Sequence, residues 1–254
     1  MLAKLNPHTR DQYITFEEGP HIYTVHGDSS FTSVTTWNHH HFSGFNGEKA
    51  VENILKSKKR TDPSYPYFGM TKDEILEKWK SSGKEASLAG TQLHYDIECY
   101  YNKIENKNDS IEYSYFLKFV EDFPDLKPYR TEWMVYYEEL KLAGSIDMIF
   151  ENEKGELIIY DWKRCKEIEN DKGYFTQYST TKCISHLPDT NFWHYSLQLN
   201  MYKTILEHKY DKKVVGLFLM RLHPDNVYKT YERIEIPFLD KEMNDLLEHR
   251  KTEL

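Results

Sequence analysis

Cysteines and long apolar runs are scarce in this sequence. Its three cysteines, Cys99, Cys165 and Cys183, are odd in number and lack CxxC spacing, so we expect reduced thiols in a reducing compartment. Three cysteines are also too few for a four-cysteine zinc or iron–sulfur site. Because the chain has no run of about 18 apolar residues, we expect no membrane-spanning helix.

Basic charge is also in deficit. The chain has 33 Lys and Arg against 41 Asp and Glu, a net charge of −8, so any nucleic-acid binding must use a local basic groove. Residues 1–20, MLAKLNPHTRDQYITFEEGP, contain acids and no apolar core, so we expect neither a secretory signal nor a transit peptide. We therefore expect an intracellular protein of the cytosol, the nucleus or a viral replication compartment.

The order of strand and helix patterns predicts the fold class. Helical patterns precede three strand patterns, at 130–139, 142–152 and 156–164, and a long helix, two strands and a closing helix follow them. This order predicts an α/β fold, with a central mixed β-sheet flanked by helices. The chain of 254 residues is long enough for one sizeable domain. We expect a single domain, with an N-terminal hairpin and helical segment at 1–90 and the core at 91–254.

The N-terminal segment has its own signals. Residues 20–37 are typical of a hairpin that turns at HGDS, after which Thr32 or Ser33 begins a helix. A capping box at Thr71 and Glu74 predicts a helix over 71–83. Residues 90–104 favour a second, separate helix.

The stretch ELIIYDWKR, residues 156–164, ends an apolar strand with charged side chains. Asp161 and Lys163 are two residues apart, so they point to the same face of the strand. With a turn at ENEKGE, the simplest hairpin register places Asp147 opposite Asp161. Side chains opposed in this way lie roughly 4.5–5.5 Å apart.

Two carboxylates at that distance need a shared proton or a cation. Lys163 is one such cation, and a divalent metal is the other, because hard cations bind clustered carboxylate oxygens. An ordinary salt-bridged pair at a strand end fits the same spacing, and both interpretations stay open from spacing alone. His94 and Glu98 lie four residues apart on one helix face, and an imidazole with carboxylates is a common mixed ligand set.

The motifs AGSID and LIIYDWK together resemble the core of the PD-(D/E)xK nuclease superfamily. Asp147 matches the first motif, and Asp161-Trp162-Lys163 matches the second. The GTQLH motif, with His94, is similar to the histidine motif of the RecB-type branch. Gln198 and Tyr202 match the QxxxY helix of that branch. The segment HIYTV…SVTT also resembles the mitochondrial genome maintenance exonucleases and their viral relatives, and the likeness covers about residues 20–220.

The resemblance implies a restriction-endonuclease-like core with an N-terminal helical extension, in which residues 33–90 shape a channel for one strand. It implies Mg²⁺ or Mn²⁺ held by His94, Asp147, Asp161 and the backbone carbonyl of Trp162. Lys163 would orient or deprotonate the attacking water and stabilise negative charge. Gln198 and Tyr202 would hold the site or contact a phosphate.

Two further carboxylates are less clearly assigned. Glu132 is either a carboxylate that supports the metal ligands or binds a second metal ion, or a solvated strand residue. We expect Glu98 to support His94 rather than to bind a metal. The RecB-type relatives that hold an iron–sulfur cluster have four flanking cysteines, which this chain lacks, so we expect no cluster.

These expectations lead to three functional hypotheses. The first is a metal-dependent DNA exonuclease acting on single-stranded DNA or DNA ends in repair, recombination or genome maintenance. The second is a structure-specific endonuclease, which an open cleft or a two-fold dimer would favour over an enclosed channel. The third is a catalytically silent nucleic-acid-binding module, which the intact Asp147, Asp161 and Lys163 disfavour. The oligomeric state, the polarity of digestion and the choice of DNA over RNA stay open.

Overall fold

The computed structural model describes residues 1–173 and 176–254. It contains two compact units, one formed by residues 1–43 with 93–254 and the other by residues 44–92. Residues 1–43 thus belong with the core strands, whereas the sequence pattern grouped them with residues 44–90. The sequence pattern of residues 166–190 is polar and irregular, and residues 174 and 175 of this segment lie outside the described part. The single domain stays a prediction.

The helices and strands follow the predicted order. The helices are α1 (Leu2–Leu5), α2 (Val34–His40), α3 (Gly47–Lys56), α4 (Lys72–Asn102), α5 (Ile111–Asp122), α6 (Asn191–Lys209) and α7 (Asp240–Glu253). The strands are β1 (Ile14–Glu17), β2 (Ile22–Val25), β3 (Thr32–Ser33), β4 (Lys127–Tyr137), β5 (Leu142–Glu151), β6 (Leu157–Lys163), β7 (Val214–Arg221) and β8 (Glu232–Glu235). No helix of the described residues is both long enough and apolar enough to cross a membrane.

The main sheet mixes parallel and antiparallel pairs. Its path runs β3-β5-β6-β7-β8, and β4 also pairs with β5. The β3–β5 and β6–β7 pairs are parallel, and the β4–β5, β5–β6 and β7–β8 pairs are antiparallel. The prediction of an α/β fold with a mixed sheet flanked by helices is confirmed. The finer description of a restriction-endonuclease-like core stays a prediction.

The two faces of the sheet are covered by different apolar clusters. On β6, Ile159 belongs to a cluster that includes α6 and α7, whereas Tyr160 and Trp162 belong to a cluster with α5 and the end of α4. β7 alternates in the same way, since Leu219 joins the first cluster and Met220 the second. This two-residue period directs Asp161 and Lys163, like Ile159, toward α6.

Strands β5 and β6 begin as a regular hairpin and then separate. The last residue pair between them is Met148 with Tyr160, in the register that places Asp147 opposite Asp161. β4 pairs with β5 along its whole length, so β6 and β3 share the other edge of β5. Because β3 pairs only with Leu142 and Ala143, residues 144–147 lie in an opening between two partner strands.

The N-terminal hairpin differs from the prediction. β2 pairs with the upstream strand β1, so the hairpin turns over residues 18–21 rather than at HGDS. The HGDS segment forms a tight turn of its own, closed by a bridge between Val25 and Asp28. The upstream ITFE segment supplies an alternating partner strand, which the residues after HGDS do not. The predicted helix start is confirmed, because the Ser33 hydroxyl accepts a hydrogen bond from the Thr36 amide.

The predicted helices at 71–83 and 90–104 are one continuous helix, α4. The capping box is confirmed, because the Thr71 amide donates to the Glu74 carboxylate and the Glu74 amide to the Thr71 hydroxyl. Gly83 and Gly90 each cost a helix only about 1 kcal/mol, and the intervening Lys, Glu, Ala and Leu residues favour helix, so the two predicted segments join.

We expect Gly144→Ala to destabilise the fold by about 1–3 kcal/mol through overpacking. A Cβ at Gly144 would lie 2.8 Å from both the hydroxyl oxygen and Cε1 of Tyr202. Gly90→Ala is the matched control, since its added methyl meets nothing within 4 Å and α4 should gain up to about 1 kcal/mol. Urea unfolding with equal slopes measures both changes, and an unshifted midpoint for Gly144→Ala would contradict the close packing.

Candidate functional site

The opening between β5 and β6 is bridged by Asp147. Its Oδ2 accepts a hydrogen bond of 2.9 Å from the backbone amide of Trp162. Where the strands no longer pair, that amide would otherwise lack an acceptor, and an unpaired buried amide is costly. Asp147 therefore ties the two diverging strands together while its carboxylate stays inside the opening, with 12% of the side chain exposed.

His94, on α4, enters the same opening with a defined orientation. Its Nε2 lies 2.9 Å from the backbone carbonyl oxygen of Trp162. A carbonyl only accepts hydrogen bonds, so Nε2 carries a proton and Nδ1 is the ring nitrogen that faces the carboxylates. That Nδ1 lies 3.5 Å from Asp147 Oδ2 and 3.9 Å from Glu132 Oε1. The carbonyl that the resemblance assigned to the metal thus orients His94.

Glu132 reaches the site from β4 through an unusual backbone conformation. Its φ of 43° is left-handed, although its neighbours Thr131 and Trp133 pair regularly with Met148 and Ile146 of β5. A non-glycine residue in this region costs roughly 1–3 kcal/mol and is held only where its surroundings determine it. Here the Ser145 hydroxyl donates a 3.0 Å hydrogen bond to Glu132 Oε2. The strained backbone directs the carboxylate toward His94 and Asp147.

These three side chains form a cluster of metal-binding groups. One ligand atom from each of His94, Glu132 and Asp147 lies within 4.8 Å of the others. Two ligands of one octahedral Mg²⁺ or Mn²⁺ are about 3 Å apart at right angles or about 4.2 Å apart on opposite sides, since each bond is about 2.1 Å. The atoms of the cluster must therefore move closer by up to about 1 Å to bind one ion, and its one nitrogen and carboxylate oxygens suit such an ion.

Crowding of negative charge shifts the proton affinity of Glu132. Loss of hydration around its carboxyl group, followed by the negative charge of Asp147, raises the pKa of Glu132 from 4.5 to about 8. The Ser145 hydrogen bond acts in the opposite direction and is outweighed. In the absence of a cation the cluster therefore carries a proton at neutral pH, and a bound cation would replace it.

Asp161 and Lys163 form a second group beside the cluster. Lys163 Nζ lies 2.5 Å from Asp161 Oδ2, which agrees with the predicted common face. Gln198 on α6 donates from Nε2 to Asp161 Oδ1 at 3.3 Å. Asp161 is 2% exposed and is not part of the three-residue cluster, so in this structure its carboxylate is held by Lys163 and Gln198.

The buried ion pair keeps Lys163 charged. Burial alone lowers the pKa of Lys163, but the carboxylates of Asp161 and Asp147 outweigh it and raise that pKa above its ordinary value. Burial raises the pKa of Asp161 to about 6, against the opposing effect of Lys163. Near neutral pH Lys163 is therefore an ammonium group that donates hydrogen bonds and has no proton-accepting capacity.

Helix α6 closes the site with three residues spaced along one face. Tyr195, Gln198 and Tyr202 follow the i, i+3, i+7 pattern. The Tyr202 hydroxyl accepts from Gln198 Nε2 at 3.5 Å, and its ring packs on Gly144. Lys163 Nζ lies 4.6 Å from the centre of the Tyr195 ring, a cation–π contact. Tyr195 escaped the sequence-based prediction, although its helical spacing from Gln198 was a usable signal.

The structure thus brings together every predicted site residue, although in two groups. His94 and Asp147 join Glu132, whereas Asp161, Lys163, Gln198 and Tyr202 form the adjoining network. Glu98 behaves differently from the expectation, since no hydrogen bond or ion pair within residues 1–173 and 176–254 links its side chain to His94. Burial raises the pKa of Glu98.

We expect the stability of the metal-free protein to fall as the pH rises from about 4.5 to about 8. In this window the folded protein retains a proton on Glu132 that the unfolded chain has lost, so the folded state binds more protons. Asp161 acts in the same direction between about 3.8 and about 6. Glu132→Gln removes the contribution of Glu132 to this pH dependence. In EDTA this variant should therefore exceed the parent in thermal stability at pH 8 but not at pH 5.

Glu139→Gln is the matched control for that experiment. The hydrogen bond from Lys209 lowers the pKa of Glu139, so removing this carboxylate should give no gain at pH 8. Equal melting temperatures for the parent and Glu132→Gln at both pH values would contradict the crowded carboxylates.

Comparisons with known proteins add little to this geometry. No protein-family model and no curated protein matches the chain. Among solved structures, the chain is similar to one titled "Crystal structure of SSO0001", with 16% identity and a TM-score of 0.28 over 82% of this chain and 83% of that one. A likeness at that TM-score carries no argument, so any functional conclusion depends on the site itself.

Proposed function

We propose that this protein is a metal-dependent DNA nuclease that hydrolyses phosphodiester bonds. We further propose that it is an exonuclease, acting on single-stranded DNA or DNA ends. The observation that carries the proposal is the His94, Glu132 and Asp147 cluster lying directly beside the buried Asp161–Lys163 pair. A cation site and a fixed ammonium group in one opening suit the anionic transition state of phosphodiester hydrolysis. The resemblance to the PD-(D/E)xK nucleases supports the same proposal.

His94, Glu132 and Asp147 would hold Mg²⁺ or Mn²⁺, with Asp161 and the Trp162 carbonyl as further ligands when the Lys163 ion pair rearranges. The metal ion would polarise the scissile phosphate and lower the pKa of a water molecule. Glu132 and Asp147 would release the proton that their crowding retains, and His94 would bind through Nδ1 because its Nε2–H is committed to Trp162.

Lys163 would act as a hydrogen-bond donor to the reacting phosphate. Its raised pKa keeps the ammonium charged, so it would stabilise developing negative charge rather than take a proton from water. Of the roles expected of Lys163 from the sequence, stabilising negative charge is therefore favoured over deprotonating the water. Asp161 and the Tyr195 ring would hold the Lys163 side chain in place between substrate-binding events.

Gln198 and Tyr202 would position the site from α6. Gln198 holds Asp161, and Tyr202 accepts from Gln198 while packing on Gly144. Neither side chain needs to touch the reacting atoms for this role. The channel formed by residues 33–90, which would favour the exonuclease over the endonuclease, remains a prediction, as does the preference for DNA.

We expect Asp161→Asn and Lys163→Ala each to abolish cleavage, because one removes the anchor of the ammonium and the other the ammonium itself. Circular dichroism should show both variants folded. Lys154→Ala, in the β5–β6 turn and remote from the site in register, is the matched control and should retain full activity. Cleavage by Lys163→Ala at the parental rate would contradict the assigned role.

End-labelled linear single-stranded DNA, incubated beside a closed single-stranded circle with Mg²⁺, Mn²⁺ or EDTA, tests the activity. We expect metal-dependent loss of the linear DNA only, and the position of the label gives the polarity. Cutting of the circle would assign the endonuclease instead. If folded protein cleaves neither substrate with either metal, the nuclease proposal is wrong.

We expect Mn²⁺ to raise the melting temperature of the parent at pH 8, since a ligand at 100 times its dissociation constant adds about 2.7 kcal/mol of stability. His94→Ala and Glu132→Gln should each lose most of this gain. Glu98→Gln, one helical turn from His94 on α4, is the control and should keep it. A full Mn²⁺ shift in Glu132→Gln would exclude Glu132 from the cation site without any measurement of activity.

A further inference from the structure

The loop between β7 and β8 exposes two adjacent apolar side chains. Val227 is 79% exposed and Tyr228 is 76% exposed. Together the two side chains form a small exposed apolar patch.

The loop is held in one conformation by Asn226, which is buried. The Asn226 side chain donates to the Thr230 carbonyl at 2.7 Å and accepts from the Tyr228 amide at 3.2 Å. Its backbone accepts from the Lys229 amide at 2.9 Å and donates to the His223 carbonyl at 3.0 Å. These bonds form two consecutive turns and fix the tip that carries Val227 and Tyr228.

Both ends of the loop are anchored in the core. Leu222 is fully buried in the cluster that includes α5. Tyr231 packs edge-on against Phe119 and donates from its hydroxyl to Asp122 at 2.8 Å. An exposed pair on a rigid, anchored tip is arranged in advance for a partner, which reduces the entropy lost on binding.

The loop begins beside the candidate site. In the parallel pair of β6 and β7, Lys163 is in register with Arg221, and the Leu222 amide donates to the Lys163 carbonyl at 2.9 Å. From Leu222 to Tyr228 the chain spans at most about 21 Å, and the two turns shorten that reach. The tip therefore lies within a few nucleotides of a phosphate held at Lys163.

The charges around the tip suit a polyanion. Lys229 follows Tyr228 directly, is exposed, and has no acidic partner among the described residues. Lys166, two positions after Arg164 beyond the end of β6, is also exposed, and its loose contact of 3.5 Å with Asp225 is open to solvent. Lys229, next to Tyr228 in the chain, and Lys166, in contact with Asp225 of the same loop, thus supply two exposed ammonium groups for the phosphates of a bound strand.

We propose that Tyr228, supported by Val227, stacks on an unpaired base of the nucleic-acid strand engaged at the site. This inference rests on the proposed nuclease function and adds a contact between Tyr228 and the substrate strand outside the candidate functional site. Stacking is sequence-tolerant because every base has a π-face. Two side chains are too small an area for a stable protein interface, which needs on the order of 1,000 Å².

Binding of a fluorescent oligothymidylate in EDTA, followed by anisotropy, tests the stacking without cleavage. Tyr228→Ala should weaken binding by roughly tenfold, the ordinary effect of removing one stacked base contact. Tyr228→Phe should retain the parental affinity. Phe238→Ala, which removes another exposed aromatic ring at the opposite end of β7, should have no effect. An abasic oligonucleotide should bind the parent and Tyr228→Ala equally.

Hydrolysis of bis(4-nitrophenyl) phosphate with Mn²⁺ separates the two proposals, because this diester has no base. Tyr228→Ala should hydrolyse it at the parental rate. If the parent binds and cleaves DNA but Tyr228→Ala binds as tightly as the parent, the stacking inference is overturned. If the parent neither binds DNA nor cleaves either substrate, the proposed nuclease function is wrong, and the stacking inference that rests on it is rejected as well.

Discussion

The separation of β5 from β6 after the Met148–Tyr160 pair is the constraint on which the rest of the site depends. It leaves the Trp162 amide and carbonyl without partners on β5, and the Asp147 carboxylate and the His94 imidazole bind them instead. Two side chains with metal-binding chemistry are thus fixed by backbone hydrogen bonds, independently of any ion. The site is therefore arranged before a ligand arrives, which lowers the cost of binding.

Electrostatic crowding is the cost of that arrangement. Glu132 adds a second carboxylate beside Asp147 through a left-handed backbone, and its pKa rises to about 8. Burial also raises the pKa of Asp161, to about 6, although the positive charge of Lys163 opposes this rise. A fold that accepts both backbone strain and like-charge repulsion at one place is typical of a functional site, where a cation relieves the repulsion.

Local patterns predicted most elements and the hairpin register. Helix caps at Ser33 and Thr71 and the strand alternation around Asp161 are short-range signals, and each agrees with the structure. Two predictions failed where distant or cooperative effects prevailed. Strand β2 pairs with the upstream strand β1. Helix α4 continues through Gly83 and Gly90, because each glycine lowers the stability of a long helix only slightly.

The sequence by itself determined that Asp161 and Lys163 share a face and that Asp147 lies opposite, because a strand repeats every two residues and a short turn sets the register. Only the tertiary structure decided that Glu132 lies beside His94 and Asp147 and that Tyr195 contacts Lys163. Those contacts join residues far apart in the chain. They depend on how β4 and α6 pack against the sheet and on a left-handed residue within a strand, which no local periodicity encodes.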